Sequence, residues 1–270
     1  MIPYPFTYHR AGSLAEAAAM LARAPDAKLL AGGHTLIPAM KLRLANPSAL
    51  IDISGLQELS FIRKDGSDIS IGAATTHAEV ANSDVIRAAI PALAHLAGEI
   101  GDPAVRHMGT IGGSVANNDP AADYPAGVLG LAATVKTNRR GVAADEFFTG
   151  MFSTALDEGE IVTEIVFPIA KRAGYAKFAN PASRYAMVGV FVAEIEGGTR
   201  VAVTGAAPCV FRVPEMEAAL ARSFAPGAVA SIAIAPDGMN SDIHGSAEYR
   251  AHLVTVMAKR AVAAALNLSH

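Results

Sequence analysis

The sequence predicts an α+β protein. Residues 27–54 spell a strand, a Gly-Gly turn, a short helical crossover and a second strand. Residues 69–99 pass from strand-like alternation into a helix, and the chain beyond residue 174 orders as strands first and two helices afterwards.

Taken in order, SLAEAAAMLAR at 13–23 is an alanine-rich helix whose Ser13 and Glu16 have the spacing of a capping box. Residues 27–31 form a short apolar strand broken by Gly32 and Gly33. In LIPAMKLRLA the apolar spacing is helical, but Pro38 dictates a short or kinked turn. ALIDIS at 49–54 is the next strand, closing a compact βαβ unit with its ligand-facing end at the Gly-Gly turn. ISIGAATT at 69–76 alternates as a strand, and a helix follows over 83–99 with Ser83 as its cap. A glycine-rich turn at 109–113 precedes an apolar stretch, and KTNRR at 136–140 reads as a hairpin turn with a solvated face. Residues 160–168 and 175–179 resemble strands; RAGYAK is a link, and 168–174 is the expected boundary, where proline, charges and glycine lie together. AMVGVFVAEIE and TRVAVTGAAP pair as a hairpin around Gly197 and Gly198, and helices follow at 214–222 and 246–266.

A chain of 270 residues, 51% apolar and 17% charged, can bury a substantial core. No apolar run approaches the roughly 20 residues needed to span a bilayer, and the start lacks a basic region followed by an apolar core, so the expectation is a soluble, cytoplasmic protein. The single cysteine, Cys209, reads as a small buried apolar residue and excludes an internal disulfide or an all-cysteine metal or iron–sulfur site. A net charge of −3 provides no footprint for nucleic acid, and the 8 histidines show no metal-ligand spacing.

Two glycine turns stand out. Gly32-Gly33 is followed by His34 and Thr35, and Gly112-Gly113 by Ser114 and Asn117. Without a Cβ, successive N–H groups can point into one concavity and bond an anion, so two such turns could grip a diphosphate with hardly any cationic side chain. Either turn alone also fits a tight connection and nothing more. Neither is a Walker motif or a GxGxxG. GGSVA falls one residue short of a nucleophile elbow, with Asp237 and His244 or His252 available downstream, but no apolar strand precedes it. Asp119 and Asp123 have the residue types of a glycosidase pair, yet Pro120 between them points to turn chemistry. No catalytic residue is assigned.

AKLLAGGHTLIPAMKLRLANPSALIDIS and GDPAVRHMGTIGGSVANNDPAADYPA resemble the two flavin-binding signatures of the FAD-carrying medium subunit of molybdenum hydroxylases, the group of carbon monoxide dehydrogenase and xanthine dehydrogenase-like enzymes. IPYPFTYHRAGSLAEA, IGAATTHAEVA, FFTGMFSTALDEGEIVTEIVFP and DIHGSAEYRAHLV extend the likeness over nearly the whole chain. The resemblance implies a p-cresol methylhydroxylase-type FAD-binding domain over 1–170, made of α+β subdomains at 1–57 and 58–170. A C-terminal α+β flavoprotein domain at 171–270, a three-stranded sheet with helices, follows.

It also implies a site. The FAD pyrophosphate lies between residues 31–35 and 110–114, which brings in Leu30, Ala31, Gly32, Gly33, His34, Thr35 and Leu36 from one side and Gly109, Thr110, Ile111, Gly112, Gly113, Ser114 and Asn117 from the other. Asp123 reaches ribose hydroxyls and Asp119 shapes its own turn. Lys28 precedes the first turn, Thr75 and Thr76 lie on a neighbouring loop, Ile161 or Val162 packs near the adenosine, and Lys177 and Tyr185 stand at the flavin end. The chain departs from the family pattern at Ala179, Asn180 and Pro181, where relatives often carry basic residues, and at His107-Met108, where Asn and Arg are common.

The function so implied is electron transfer, with redox chemistry belonging to the flavin. With one cysteine in the chain, electrons arrive from clusters elsewhere. The implied partners are a small iron–sulfur subunit and a large molybdopterin subunit in a dimer of heterotrimers, and the acceptor is a quinone, NAD or dioxygen. A self-sufficient flavin oxidase and a flavin-free scaffold module remain as alternatives.

Overall fold

A computed structural model describes residues 2–268 and distributes them over sheets with helices packed on their faces. The first sheet is parallel, with Ala49–Asp52 between Thr7–Arg10 and Lys28–Leu30. Thr7–Arg10 has no counterpart among the predicted strands. It is an exposed edge, so no inward-facing apolar residues mark it. Helix Leu14–Arg23 covers the sheet. Ser13 Oγ accepts the Glu16 N–H as expected, but the Glu16 carboxylate accepts from Gly12 N, so the reciprocal half of the box sits one residue earlier.

The second sheet is antiparallel, ordered Ile62–Asp65, Asp68–Gly72, Val162–Pro168, Thr134–Thr137, Gly141–Ala143. The strand predicted at 69–76 ends at Gly72, where a Cβ would stand 2.4 Å from Leu59 O and the chain turns towards Thr75. The predicted helix at 83–99 is broken into Asp84–Ala89 and Pro91–Gly98. Pro91 has no N–H to continue the first helix, and Ile90 takes the non-helical φ −139°, ψ 69° that a following proline favours. The predicted glycine turn at 109–113 is likewise corrected: helix Pro103–Met108 leads through Gly109 and Thr110 into helix Ile111–Asn117, so Gly112 and Gly113 occupy a helical first turn.

The C-terminal sheet is antiparallel, with Arg172–Ala179, Ala186–Ile195, Gly198–Thr204 and the two-residue strand Phe211–Arg212 in that order. The predicted three strands thus gain a short fourth, and residues 172–174, read as a link, already belong to the first. Cys209 is partly buried, where full burial was expected. Within Ala186–Ile195, residues 186–193 are apolar and buried because both faces are covered there. Val188, Val190 and Val192 pack with Met257 and Ala261 of the long helix Ala247–Ala265, whereas Phe191 and Ala193 join Leu93, Tyr124 and Val128.

At Gly174 the long helix approaches so closely that a Cβ would lie 2.0 Å from Ala261 O and 2.7 Å from Ala265 N. Backbone cannot retreat as a flexible side chain would. Gly174→Ala should therefore destabilise the chain by about 1–3 kcal/mol, read as a lower denaturant midpoint; an unchanged midpoint would contradict the packing.

Candidate cofactor-binding site

Gly32 brings the two signatures together. A Cβ there would sit 2.0 Å from Met108 O and 2.8 Å from Gly109 Cα, so only glycine lets the first bend rest on the backbone of the second. Gly33 follows at φ +71°, a left-handed conformation that glycine adopts without strain. Helix Leu36–Lys41 starts immediately after, with Ile37 N donating to Gly33 O at 3.0 Å. Between strand and helix, the N–H groups of Gly32, Gly33, His34 and Thr35 donate to no protein acceptor among the described residues.

The second signature behaves differently. Ile111 N donates to Thr75 O at 3.0 Å, Gly112 N to Ala73 O at 2.9 Å and Gly113 N to the capping Thr110 Oγ1 at 3.2 Å. These amides, expected to face a ligand, are consumed within the protein. Gly112 is a packing glycine, since its Cβ would lie 2.5 Å from that of Ala73. Thr76 and Thr110 face each other in an antiparallel bridge flanked by the Ile111–Thr75 bond and a 2.9 Å bond from His77 N to Gly109 O. That pattern turns the Thr110 N–H away from the bridge. Thr75 is buried with its hydroxyl on Phe61 O, and Thr76 caps helix His77–Asn82 in a complete capping box with Glu79.

His77, missed as a site residue although it stands in the quoted IGAATTHAEVA, backs this junction. A Cβ at Gly109 would be 2.6 Å from its Nε2, and its ring lies 5.3 Å from that of Tyr124. Burial, reinforced by His34 and Arg106, pulls the imidazole down to about 4, so it is neutral at physiological pH. Its Nδ1 and the Tyr124 hydroxyl are buried and without partners among the described residues.

Asp123 corrects the expectation of an acid open to ribose. It is buried, accepting from Tyr175 OH at 2.5 Å and pairing with Lys177 Nζ at 2.9 Å. Burial pushes the carboxyl up, and the Lys177 ammonium and Tyr175 hydroxyl pull against it. Lys177 also donates to Glu99 O at 2.7 Å and to Arg184 O at 3.0 Å. Lys177 is thereby tied to the residue before Tyr185, whose own carbonyl accepts from Asn180 N and closes the 180–185 loop with the Tyr185 ring half exposed. Asp119 shapes its turn as expected, accepting from Ala121 N at 2.9 Å.

The remaining predicted residues are scattered around these two clusters. Lys28 is exposed at the start of its strand, and Leu30 touches the space beside Gly33. Ala31, Leu36, Ser114 and Asn117 are half-buried. Ile161 is buried in the core of the first sheet and brackets Asn138 through two backbone-mediated bonds, whereas Val162 belongs to the core of the second sheet. Among the described residues no cluster of His, Cys, Asp and Glu could hold a metal ion, and no helix is long and apolar enough to cross a membrane.

The sequence family described as the FAD binding domain in molybdopterin dehydrogenase matches residues 4–170. The chain belongs to that family. It is similar to the carbon monoxide dehydrogenase medium chain of Hydrogenophaga pseudoflava, at 39% identity over 98% of each chain. With the glyceraldehyde dehydrogenase medium chain of Sulfolobus acidocaldarius it shares 35% identity over 97% of this chain and 98% of the relative. Its fold matches a chain of the reconstituted CO dehydrogenase from Oligotropha carboxidovorans with a TM-score of 0.92, at 35% identity over 100% of both chains. Like these dehydrogenase medium chains, the chain is part of an oxidoreductase.

The buried imidazole gives a pH test. Unfolded, His77 titrates near 6.5; folded, near 4. The stability it contributes is complete above pH 6.5 and is lost on acidification through that interval, at up to ~1.4 kcal/mol per pH unit. The unfolding midpoint of the parent should fall more steeply between pH 6.5 and 4 than that of His77→Asn, and parallel profiles would contradict a buried neutral ring.

Proposed function

We propose that this chain is the FAD-carrying electron-transfer subunit of a molybdenum hydroxylase. Electrons reach it from iron–sulfur clusters on a small partner subunit and leave for an external acceptor. A large molybdopterin subunit completes a heterotrimer that pairs into a dimer. The reading takes residues 1–170 as the FAD-binding domain and 171–270 as the flavoprotein C-terminal domain.

One observation carries it: the open amides of residues 32–35, pressed by Gly32 against Met108 and Gly109 inside the family-matched segment. Unpaired N–H groups on a glycine bend are donors for phosphate oxygens, and charge-assisted bonds of this kind contribute roughly 1.5–3 kcal/mol each. The diphosphate of FAD fits that donor set without a cationic side chain. Gly32 to Thr35 would hold it from one side and Thr110 from the other, with Thr76, Ser114 and Asn117 around them. Ile161 and Val162 would border the adenosine, and Lys177 and Tyr185 the isoalloxazine. Asp123 would act through Lys177 and Tyr175, which occupy its carboxylate. Bound FAD supplies electron exchange singly and in pairs; the protein binds, orients and partly desolvates it. The neutral His77 behind Gly109 adds no charge to the cradle and keeps Gly109 fixed through its backbone N–H.

Gly32→Ala and Gly33→Val should each abolish FAD retention, measured as flavin absorbance per chain, while far-UV spectra show the C-terminal sheet still folded. Flavin content equal to the parent's would remove the bend from the site. The chain alone should oxidise none of the substrates named for its relatives, carbon monoxide and glyceraldehyde included; turnover by the isolated chain would favour a self-sufficient oxidase.

A further inference from the structure

The imidazole of His77 is seated against Gly109, on which the Gly32 bend rests. A Cβ on Gly109 would meet its Nε2 at 2.6 Å and its Cδ2 at 2.9 Å, and His77 N donates to Gly109 O at 2.9 Å. The buried ring also packs on Tyr124, with centroids 5.3 Å apart and planes tilted by 50°. Gly109 Cα in turn lies 2.8 Å from where a Gly32 Cβ would stand. Ring, Gly109 and Gly32 thus form one stack that ends at the open amides of residues 32–35.

That seat suits only a neutral ring. A charged imidazole carries an N–H on both nitrogens, and Nδ1 is buried without a partner among the described residues. The Tyr124 hydroxyl is likewise buried and unpartnered, and it brings no charge to balance a proton. No carboxylate takes that role. On His77's own helix, Glu79 is bound to Thr76 N and Oγ1, both at 2.7 Å. Asp102 caps Val105 N at 2.9 Å, and Asp123 is held by Tyr175 and Lys177. Helix Pro91–Gly98 offers only the exposed His95. Helix Asp84–Ala89 offers the exposed Asp84 and an exposed Arg87 that donates to Asn82 Oδ1 at 2.8 Å. His107 is tied to Pro103 O at 2.7 Å. The charges that do act on the ring, His34 on the bend and Arg106 on helix Pro103–Met108, are cationic and oppose a further proton. A buried charge left without a partner is expelled or neutralised.

We infer that His77 is an acid-operated latch on the cofactor cradle: protonation expels the ring from its seat against Gly109, the Gly32 bend loses its support, and FAD is released. The latch rests on the FAD reading above. The proton comes from solvent, and both N–H groups of the expelled ring are satisfied by water. An expelled ring takes its proton near the ordinary 6.5, a seated one only near 4. The latch is therefore closed above pH 6.5, and the open form gains up to about tenfold per pH unit as pH falls through that interval.

The test follows FAD release from the protein purified with its flavin, by timed ultrafiltration at a series of pH values from neutral down to about 4. The parent's release rate should climb below pH 6.5, approaching about tenfold per unit, while far-UV ellipticity keeps its neutral value. His77→Asn has no titrating ring and should show a flat profile over the same interval. The exposed control His95→Asn should follow the parent. A second readout needs no substitution: in the parent, the imidazole proton and carbon resonances of His77 should move to the charged form over the interval in which flavin leaves. A parent rate that stays constant until the whole chain unfolds overturns the inference and leaves the FAD reading standing. So do equal slopes for the parent and His77→Asn. Tighter retention of FAD in acid overturns it too, because the imidazolium would then be staying in place as a counter-charge to the diphosphate. A protein that carries no FAD at neutral pH overturns both.

Discussion

The contact on which the site depends is backbone against backbone: Gly32 lying on Met108 and Gly109. It joins a parallel sheet to the helical segment of an antiparallel one, and neither side can yield by rotating a side chain. The contact also explains the unpaired amides. In a chain that must leave its strand, pass beneath another backbone at Gly32, turn left-handed at Gly33 and enter a helix, the amides of residues 32–35 donate to no backbone carbonyl among the described residues. Desolvated amides without acceptors cost about 1–3 kcal/mol each, so this bend is stable only when water or an anion completes it.

The facing segment is the rigid half of the pair. Thr75 O, Ala73 O and Thr110 Oγ1 take the amides of Ile111, Gly112 and Gly113, and His77 fills the space behind Gly109. An open cradle against a wall whose amides from Ile111 to Gly113 are already bonded is a different device from two symmetrical loops. The wall fixes where the cradle sits, and the cradle supplies the donors.

The sequence showed the first of these halves and misread the second, for a physical reason. Gly32-Gly33 interrupts an apolar strand, and the glycines mark a real left-handed bend. Gly112-Gly113 carries the same local signal but is captured by a helix, because Thr110 caps it and Ala73 and Thr75 lie ready to accept its amides. Those partners are remote in sequence and leave no trace around residue 112. Pro91 did carry its own signal, and helical apolar spacing on both sides masked it. Thr7–Arg10 and Phe211–Arg212 were invisible because one is an exposed edge and the other only two residues long. The hairpin at Gly197-Gly198 and the final helices were legible because turn chemistry and periodicity there are local.

Asp123 shows the same limit at the level of a side chain. An acid next to prolines and alanines reads as a solvent-facing acceptor, but Tyr175, 52 residues away, and Lys177 enclose it. A buried ion pair contributes little net stability, because desolvation offsets most of its attraction. Its value lies in specificity when every donor is matched, and Lys177 is matched by Asp123, Glu99 O and Arg184 O. These acceptors come from the end of helix Pro91–Gly98, the start of helix Tyr124–Gly130 and the 180–185 loop. One ammonium therefore sets the C-terminal sheet against the segment that leads into the Gly109 wall. Losing either charge would leave the other buried and uncompensated, and the loop that carries Tyr185 would lose its fixed distance from the wall.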